Sequence, residues 1–390
     1  MIERINIENF KSLRKVDLKL GRLNLFIGTN ASGKSNFFDT LRVLKGIADG
    51  KSGAQVFDEI RGGIQNALFR SKEDPDPARY GEMSIRVSLA APPPPALAYD
   101  LAFDTETAIT REYLQANGKA VFEWSQTDKS HFRVNGRIFG FYPNALESSQ
   151  LLLAYRTEQF PESAVKKQKD LIKSWKDRLN SVQFLTLDPQ TLRQYGTTPQ
   201  PRQIGEFGKD FASVIAAICA DAKSKSAYLS WLKELTPAEV ENVGTLPGVG
   251  HDRMFFIKEE GREFEARVLS DGTLRFAAIA AAFFQPDMPR IMAIEETENG
   301  IHASRLRLLV ELLRNQAAAE QVQVVATTHS PLLLEWLKPE EYGTTFFCQR
   351  DEESGASIIK PLTELPNFEK IVARQSISDL FAEGWMEAAS

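Results

Sequence analysis

The segment with the clearest chemistry is Gly28–Ser35, which reads Gly-Thr-Asn-Ala-Ser-Gly-Lys-Ser. It fits the G-x-x-x-x-G-K-[ST] pattern, in which backbone N–H groups surround phosphate oxygens. Gly28 and Gly33 let the backbone curl, and the start of the following helix adds the positive end of its dipole. Lys34 is placed to reach the β- and γ-phosphates of a nucleotide, and the Ser35 hydroxyl is placed to bind Mg²⁺. The segment therefore predicts a nucleotide-binding loop.

The flanks of this loop support the prediction. Leu23–Ile27 is a short apolar run that is typical of a buried strand. After the loop, apolar residues recur at helical spacing, at Phe37, Phe38, Leu41 and Leu44. The alternative, a surface turn rich in Gly and Ser, would need neither flank.

A second apolar strand, Arg290–Ile294, ends in two adjacent carboxylates, Glu295 and Glu296. In phosphate-loop proteins a buried strand near the loop delivers an acid to the Mg²⁺ shell. The next acid can orient the attacking water or accept its proton. We therefore assign Glu295 to the metal and Glu296 to the water; the alternative is a pair of surface acids at a strand end.

Two more motifs carry polar groups at element ends. Ser270 and Gly272 lie at the start of a predicted helix, where unpaired N–H groups bind anions, yet they are far along the chain from the loop. A third strand, Val324–Ala326, is followed by Thr-Thr-His-Ser, in which His329 is placed to touch a γ-phosphate. A lone histidine is more often structural, but its place after the other motifs favours a functional role.

Composition bounds the class of protein. With 390 residues, 43% of them hydrophobic, the chain can form one large domain or two ordinary ones. A net charge of −5 excludes a broadly basic coat for nucleic acid, so any such contact needs a local patch. Cys219 and Cys348 have no metal-ligand spacing, and we expect buried, reduced thiols. Because no apolar run reaches 18 residues and no targeting segment is visible, we expect a cytoplasmic protein without membrane spans.

The hydrophobic pattern along the chain predicts three regions. Residues 1–150 contain an antiparallel pair, the loop and a β-meander, with hairpin turns at Asn117-Gly118 and Asn135-Gly136. Within the meander, Pro92–Pro95 is either a stiff connection or a ligand for a polyproline-binding module. Residues 151–250 are mainly helical, and residues 251–390 alternate strands with helices, as in a parallel sheet.

The predicted helices of the middle region carry apolar stripes. We place Val182 on the first stripe and Phe207 on the second. Residues 161–181 carry six basic and three acidic residues. This charge forms either a solvated helix face or a surface for DNA or a partner, and its lysines are Lys166, Lys169, Lys173 and Lys176.

The order of these motifs resembles that of ABC-type ATPases. The details are similar to the SMC/RecF/OLD branch, and the resemblance covers roughly residues 1–140 and 250–390. The segments that carry it are Asn9–Ser12, Gly28–Asn36, Leu269–Phe276, Glu295–His302 and Thr327–Ser330. The resemblance implies an α/β fold, an ABC-type P-loop ATPase head in which a parallel sheet core is joined by an antiparallel β-subdomain and, here, a helical insertion.

The resemblance also implies ATP and Mg²⁺ as cofactors and a head-to-tail homodimer or higher homo-oligomer. ATP on the loop of one subunit would be closed over by Ser270 and Gly272 of another. Further nucleotide contacts are implied for Lys11, Asn30, Ser32 and Asn36. Glu295 stands where aspartate is commoner, and His302 stands where many relatives have the aspartate of the D-loop, the segment after the acidic strand.

Relatives in this branch serve DNA repair, recombination and prokaryotic defence, so we expect one of these roles, with DNA or a separate effector such as a nuclease as partner. The alternative is a nucleotide-gated scaffold or sensor with little turnover. A helicase-type motor would place its acidic strand much nearer than the about 260 residues between Lys34 and Glu295. Asp351–Glu353 lacks the spaced acids of a two-metal nuclease. Gln65 is the candidate for the family's glutamine loop.

Overall fold

The computed structural model describes residues 1–76, 81–90, 95–104, 109–128, 131–134, 137–140, 162–199, 201–235, 240–319 and 322–386. The described residues form three sheets. The central sheet has six strands in the order β10-β14-β15-β3-β16-β17, and all neighbours are parallel except β16 and β17. Its strands are β3 (Leu23–Gly28), β10 (Val182–Leu185), β14 (Ile291–Ile294), β15 (Gln323–Thr328), β16 (Thr345–Arg350) and β17 (Ser357–Pro361).

An antiparallel sheet of eight strands covers one side of the central sheet, in the order β2-β1-β4-β5-β6-β7-β8-β9. Its strands are β1 (Ile2–Phe10), β2 (Leu13–Lys19), β4 (Met83–Leu89), β5 (Leu97–Phe103), β6 (Ile109–Ala116), β7 (Lys119–Ser125), β8 (His131–Val134) and β9 (Arg137–Gly140). The third, antiparallel sheet consists of β11 (Val240–Pro247), β12 (Arg253–Glu259) and β13 (Arg262–Glu265).

Helices pack on the central sheet and connect its strands. They are α1 (Lys34–Ala48), α2 (Gly53–Glu59), α3 (Glu162–Asn180), α4 (Pro189–Leu192), α5 (Phe211–Ala220), α6 (Ala222–Leu235), α7 (Asp271–Ala282), α8 (Leu306–Ala319), α9 (Pro331–Leu334), α10 (Phe368–Val372) and α11 (Ile377–Ala382). No α-helix in the described part of the chain has the length and apolarity that a bilayer span requires.

Two hydrophobic cores lie on opposite faces of the central sheet. Along β3, Leu25 and Ile27 enter the core that contains α5–α8, whereas Phe26 enters the core shared with α1, α3 and the eight-stranded sheet. Successive side chains of a strand point to opposite faces, so a strand buried on both sides must be apolar throughout. This explains the continuous apolar runs before the loop and before the two carboxylates.

The predicted α/β fold, with its parallel core and antiparallel β-subdomain, is confirmed. The turn at Asn117-Gly118 joins β6 to β7, and both residues have positive φ (48° and 75°), as a tight hairpin requires. Asn135-Gly136 and Pro92–Pro94 lie outside the described residues. Both thiols are free, but Cys219 is only half-buried, whereas Cys348 is buried as expected.

The middle region is less uniformly helical than predicted. Strand β10 pairs with β14 at the edge of the central sheet, so residues 151–250 supply part of the parallel core. Val182 is the first residue of this strand and does not continue a helix. Phe207 precedes α5 in the sequence, and its side chain is 56% exposed. Both assignments to apolar helical stripes were therefore wrong. The boundaries 1–150, 151–250 and 251–390 remain a prediction.

Helix α3 carries the predicted lysine face and packs on α1. On it Lys173 is exposed and Lys176 is half-buried. The side chains of Lys166 and Lys169 lie outside the described residues. A role of this face in binding DNA stays a prediction.

Candidate nucleotide-binding site

The glycine-rich loop connects β3 to α1 at the carboxyl edge of the central sheet. Gly33 is the N-cap of α1 and has φ 105°, a backbone conformation that residues other than glycine rarely adopt. A Cβ atom at Gly28 would lie 1.9 Å from the carbonyl oxygen of Cys348, which is its partner on β16. Both glycines are therefore required by the shape of the loop and by its close packing.

The Lys34 side chain is buried and turns back into the loop. Its Nζ donates to the carbonyl oxygens of Gly28 (2.6 Å) and Thr29 (2.8 Å) and to Ser32 Oγ (3.2 Å). Burial lowers the pKa of the Lys34 ammonium below its ordinary value, while nearby acidic groups act in the opposite direction. The loop therefore holds one cationic group at the position where its backbone can also face an anion.

His329 follows β15, the strand between β14 and β3, and lies beside the loop lysine. Its Nδ1 is 3.4 Å from Lys34 Nζ. The three N–H bonds of Lys34 Nζ already have closer acceptors, so this contact places the ring beside the ammonium group without fixing the ring tautomer. The structure thus brings His329 next to Lys34, while its contact with a γ-phosphate stays a prediction.

The two carboxylates after β14 lie in different surroundings. Glu295 is buried, and its carboxylate accepts from Arg61 (2.9 Å) and lies 3.5 Å from Arg42. Glu296 is exposed and has φ 50°; its N–H donates to Thr327 Oγ1 (2.9 Å), and its carboxylate accepts from Asn299 (3.2 Å). The acid that we assigned to water thus faces solvent, whereas the acid that we assigned to metal faces two guanidinium groups.

The N-terminal strands lie beside the start of α1. Lys11 forms a buried ion pair with Asp39 of α1 and donates to the carbonyl oxygen of Arg61 (2.6 Å). Asn36 donates to Ser12 Oγ (2.7 Å), which also contacts Ser357 Oγ (2.6 Å). In this arrangement the Lys11 amine ties the N-terminal strand to α1 instead of pointing at the loop.

A cleft of about 440 Å³ opens next to α1, and four basic side chains line it. Its full lining is Lys11, Ser12, Asn36, Arg61, Gly62, Asn66, Leu68, Arg70 and Arg350. Since Asn36 directly follows the loop and the lining is strongly basic, the cleft suits the rest of an anionic nucleotide. The three arginines of this cleft could not be predicted from the sequence. They are far from the loop along the chain, and only the folded structure brings them to the same cleft as Asn36.

The segment Leu269–Arg275 contains the start of helix α7. Ser270 is its N-cap and accepts from Thr273 N (3.1 Å). Gly272 lies against the backbone of Gly300, where an added Cβ would be 2.2 Å from the carbonyl oxygen. In the part of the chain that the structure describes, neither Ser270 nor Gly272 is hydrogen-bonded to the loop of its own chain.

Other predicted site residues are placed as follows. Ser35 is half-buried at the start of α1, and Asn30 is exposed in the loop. Gln65 is exposed, and its carbonyl oxygen accepts from Arg70. His302 caps a short 3₁₀ turn, with Nδ1 3.3 Å from Ser304 N. Glu298 was not among the predicted site residues, yet its carboxylate accepts from the backbone N–H of His329 (2.7 Å).

The donor set fits a nucleotide better than it fits a metal held by protein alone. The buried Lys34, the glycine cradle and the basic cleft suit an anionic ligand. Among the described residues, no group of three or more His, Cys, Asp or Glu side chains could hold a metal ion. A metal ion at this site would thus need Ser35, phosphate oxygens and Glu295 as ligands. In the structure the Glu295 carboxylate is paired with Arg61.

Solved structures share this architecture. A crystal structure of the SmcHead bound to the C-winged helix domain of ScpA has a TM-score of 0.54 and 11% identity, covering 93% of this chain and 99% of that one. An Smc head domain with an extended coiled coil, bound to the C-terminal domain of ScpA derived from Pyrococcus furiosus, has a TM-score of 0.53 and 10% identity, covering 95% and 98%. At such identities the likeness shows the fold alone.

Sequence comparisons point in the same direction. An ATP/GTP phosphatase of Helicobacter pylori (strain ATCC 700392 / 26695) is 30% identical over 107 residues, which span 25% of this chain and only 28% of that protein. A family described as "AAA ATPase domain" matches residues 1–91. A second, described as "AAA domain, putative AbiEii toxin, Type IV TA system", matches residues 93–335. With the fold, these matches confirm the resemblance to ABC-type ATPases of the SMC/RecF/OLD branch, and the chain belongs to the second of these AAA families.

Proposed function

We propose that this protein binds and hydrolyses ATP in a site that a second copy of the chain completes. The observation that carries the proposal is the meeting of Lys34, His329 and the Glu295-Glu296 pair at the ends of neighbouring parallel strands. Three separate motifs thus converge on one edge of the sheet, where ligands of open α/β sheets bind. Membership in an AAA family and the phosphatase relative support nucleotide hydrolysis in general.

In the proposed reaction the chain mainly orients groups and stabilises charge. Lys34 and the loop N–H groups hold the phosphates, and the ring of His329 contacts the terminal phosphate. Glu296, exposed at the strand end, orients the attacking water and accepts its proton. Bound Mg²⁺ would supply charge neutralisation, with Ser35 and Glu295 as its proposed protein contacts. The Arg61 side chain is 59% exposed, and it would have to turn away from the buried Glu295 carboxylate before that carboxylate could reach a metal ion.

In the proposed dimer, the second copy contributes the start of its helix α7 to the site. Ser270 and Gly272 start a helix of 12 residues whose N-terminal N–H groups favour an anion. They are not bonded to the loop of their own chain, so the phosphates on another subunit's loop are the proposed anion. This arrangement is the head-to-tail dimer that the sequence resemblance implies.

For the biological role, we favour prokaryotic defence over DNA repair. The family description names a toxin of a type IV toxin–antitoxin system, which supports defence. A separate effector protein and DNA are proposed partners. The cytoplasmic location stays a prediction.

A nucleotide-gated scaffold with little turnover is the second candidate function. The pairing of Glu295 with two arginines favours it, because a carboxylate held in this way is a poor metal ligand. Turnover by the purified protein separates the two candidates.

The deciding experiment measures phosphate release and ATP affinity for the wild-type protein, Lys34→Ala and Lys45→Ala. Lys45 lies on the same helix but pairs with Asp49, so Lys45→Ala is the matched control. We expect Lys34→Ala to lose measurable ATP binding while remaining folded and the control to behave as wild type. Micromolar ATP binding by folded Lys34→Ala would contradict the site, whereas binding without turnover by the wild type would favour the scaffold. Added double-stranded DNA, single-stranded DNA or RNA identifies a nucleic-acid activator.

A further inference from the structure

We propose that Glu298 is a positioning residue that holds His329 at the phosphate site. It acts through the backbone of His329 and touches no nucleotide itself. The inference rests on the proposed function, since it assigns a task to a residue of the same site. Glu298 lies two residues beyond the acid assigned to the water, inside the segment Glu295–His302, and the sequence motifs gave it no role.

Strand β15 ends at Thr328, directly before His329. Thr328 pairs with Ile27 on β3, and this is the last pair between the two strands. The N–H of His329 therefore lacks a strand partner, although a half-buried backbone donor needs an acceptor. Glu298 Oε1 accepts this bond at 2.7 Å. A side chain from the segment after β14 thus replaces the missing neighbour of the strand.

Glu298 is itself fixed by the segment that precedes it. Thr297 is buried, and its N–H (3.1 Å) and hydroxyl (3.2 Å) both donate to the carbonyl oxygen of Thr327. The Thr327 hydroxyl in turn accepts from Glu296 N. These bonds tie residues 296–298 to residues 327–329, and the bond from His329 to Glu298 is the last of the series.

The position of the His329 backbone also determines how its ring lies against Lys34. The ring of His329 lies 3.4 Å from Lys34 Nζ, so a shift of its backbone moves the ring relative to the loop. Misplacement of a catalytic group by about 1 Å can cost about 100-fold in rate. Burial lowers the pKa of Lys34, and the negative charge of Glu298 acts in the opposite direction by favouring the protonated form. The hydrogen bond and the charge are separable, because glutamine keeps the acceptor but not the charge.

The test compares Glu298→Ala, Glu298→Gln, His329→Ala and the double variant Glu298→Ala/His329→Ala, with Glu311→Ala as a surface control. Glu311 pairs with exposed Arg307 on α8. Turnover and KM for Mg-ATP are measured together with hydrogen exchange of the peptide that contains His329. We expect Glu298→Ala to lower kcat about 10-fold or more with KM changed less than about threefold. We expect Glu298→Gln to stay within about threefold of wild type, and Glu298→Ala to add less than about twofold when His329 is already alanine.

Three results would overturn the proposal: unchanged turnover in Glu298→Ala, equal loss in Glu298→Gln, or independent effects in the double variant. Hydrogen exchange decides it without activity, since only the alanine variant should speed exchange at His329. If the wild type binds ATP but has no turnover, the proposed hydrolysis fails, and exchange alone judges Glu298. Unchanged exchange in Glu298→Ala would then reject its positioning role.

Discussion

Glu296 adopts a backbone conformation that few residues other than glycine adopt, with φ 50°. Such a conformation costs of order 1 kcal/mol and persists only where surrounding contacts enforce it. Here the bonds of Glu296 N to Thr327 and of Asn299 to the Glu296 carboxylate provide those contacts. The local cost is consistent with a carboxylate that must point to one place rather than move freely in solvent.

The two carboxylates should respond differently to loss of charge. We expect Glu296→Gln to bind ATP as the wild type does but to turn over at least about 100-fold more slowly, because it loses the acceptor of the water's proton. We expect Glu295→Gln to weaken Mg²⁺-dependent binding instead. Isothermal titration and phosphate release measure the two effects. Equal loss of binding in both variants would show that the roles are wrongly divided.

Cys348 gives the protein a predictable response to alkaline pH. Burial raises the pKa of its thiol to about 12, against the weaker, opposite effect of Lys34. Because the unfolded chain releases this proton near its ordinary value of 9.0, the free energy of unfolding should fall as pH rises from about 9 to 12. We expect Cys348→Ala to show a shallower fall in urea titrations over this range. An identical slope in both proteins would contradict the assignment; buried Tyr99 and Tyr228 titrate in the same direction in both.

At the level of single residues, the sequence indicated a loop between a strand and a helix and a histidine after a later strand, because short motifs encode local backbone shape. It could not predict that Glu295 faces Arg42 and Arg61. The carboxylate of Glu295 and the guanidinium of Arg61 are separated by 234 positions. Only the folded sheet brings them together, so no spacing rule reveals the pair. The roles of the individual site residues remain predictions.

At the level of elements, the start of helix α7 and the segment after β14 come into close backbone contact. Gly272 contacts the carbonyl of Gly300, which leaves no room for a side chain. The start of the proposed γ-phosphate-binding helix is therefore directly coupled to the segment that carries Glu296 and Glu298. A change at the helix start should be felt at the strand end.

Gly272→Ala tests this contact. Alanine favours a helix, but here its Cβ meets backbone atoms that must shift, and overpacking costs typically 1–3 kcal/mol. We expect a lower unfolding midpoint and lower ATP turnover. Gly343→Ala is the matched control, because nothing lies within 4 Å of the added Cβ. Wild-type turnover in Gly272→Ala would mean that the two segments are not coupled.

Secondary structure was predictable where one pattern ran long and failed where two patterns met. Val182 lies at helical distance from Leu179, yet α3 ends at Asn180 and β10 begins at Val182. The four-residue run Val182–Leu185 is too short to distinguish a strand from a buried helix by periodicity. Its pairing with β14, more than 100 residues later, decides the matter.

At the level of the whole molecule, the proposed composite site predicts assembly. We expect Glu296→Gln to form a dimer with Mg-ATP in sedimentation experiments, since it binds ATP without consuming it. Adding Ser270→Glu should place a negative charge against the terminal phosphate of the neighbouring subunit and keep the protein monomeric. ATP binding at Lys34 should survive.

Ser230→Glu is the control for this experiment, since Ser230 is an exposed position on α6. Normal hydrolysis by Ser270→Glu alone would show that the composite site is wrong for this protein. A dimer of the Glu296→Gln, Ser270→Glu double variant would show the same for the interface.

The order of strands in the central sheet also constrains how the protein is made. Strand β3 and its loop leave the ribosome before their two neighbours, β15 and β16, have been synthesised. The wall behind Gly28 is the carbonyl of Cys348, so the cradle is finished only when β16 has been synthesised. We therefore expect a growing chain to bind ATP only after translation has passed β16. Because a ligand stabilises the form that binds it, cellular ATP should stabilise chains that contain β16 relative to chains interrupted before it.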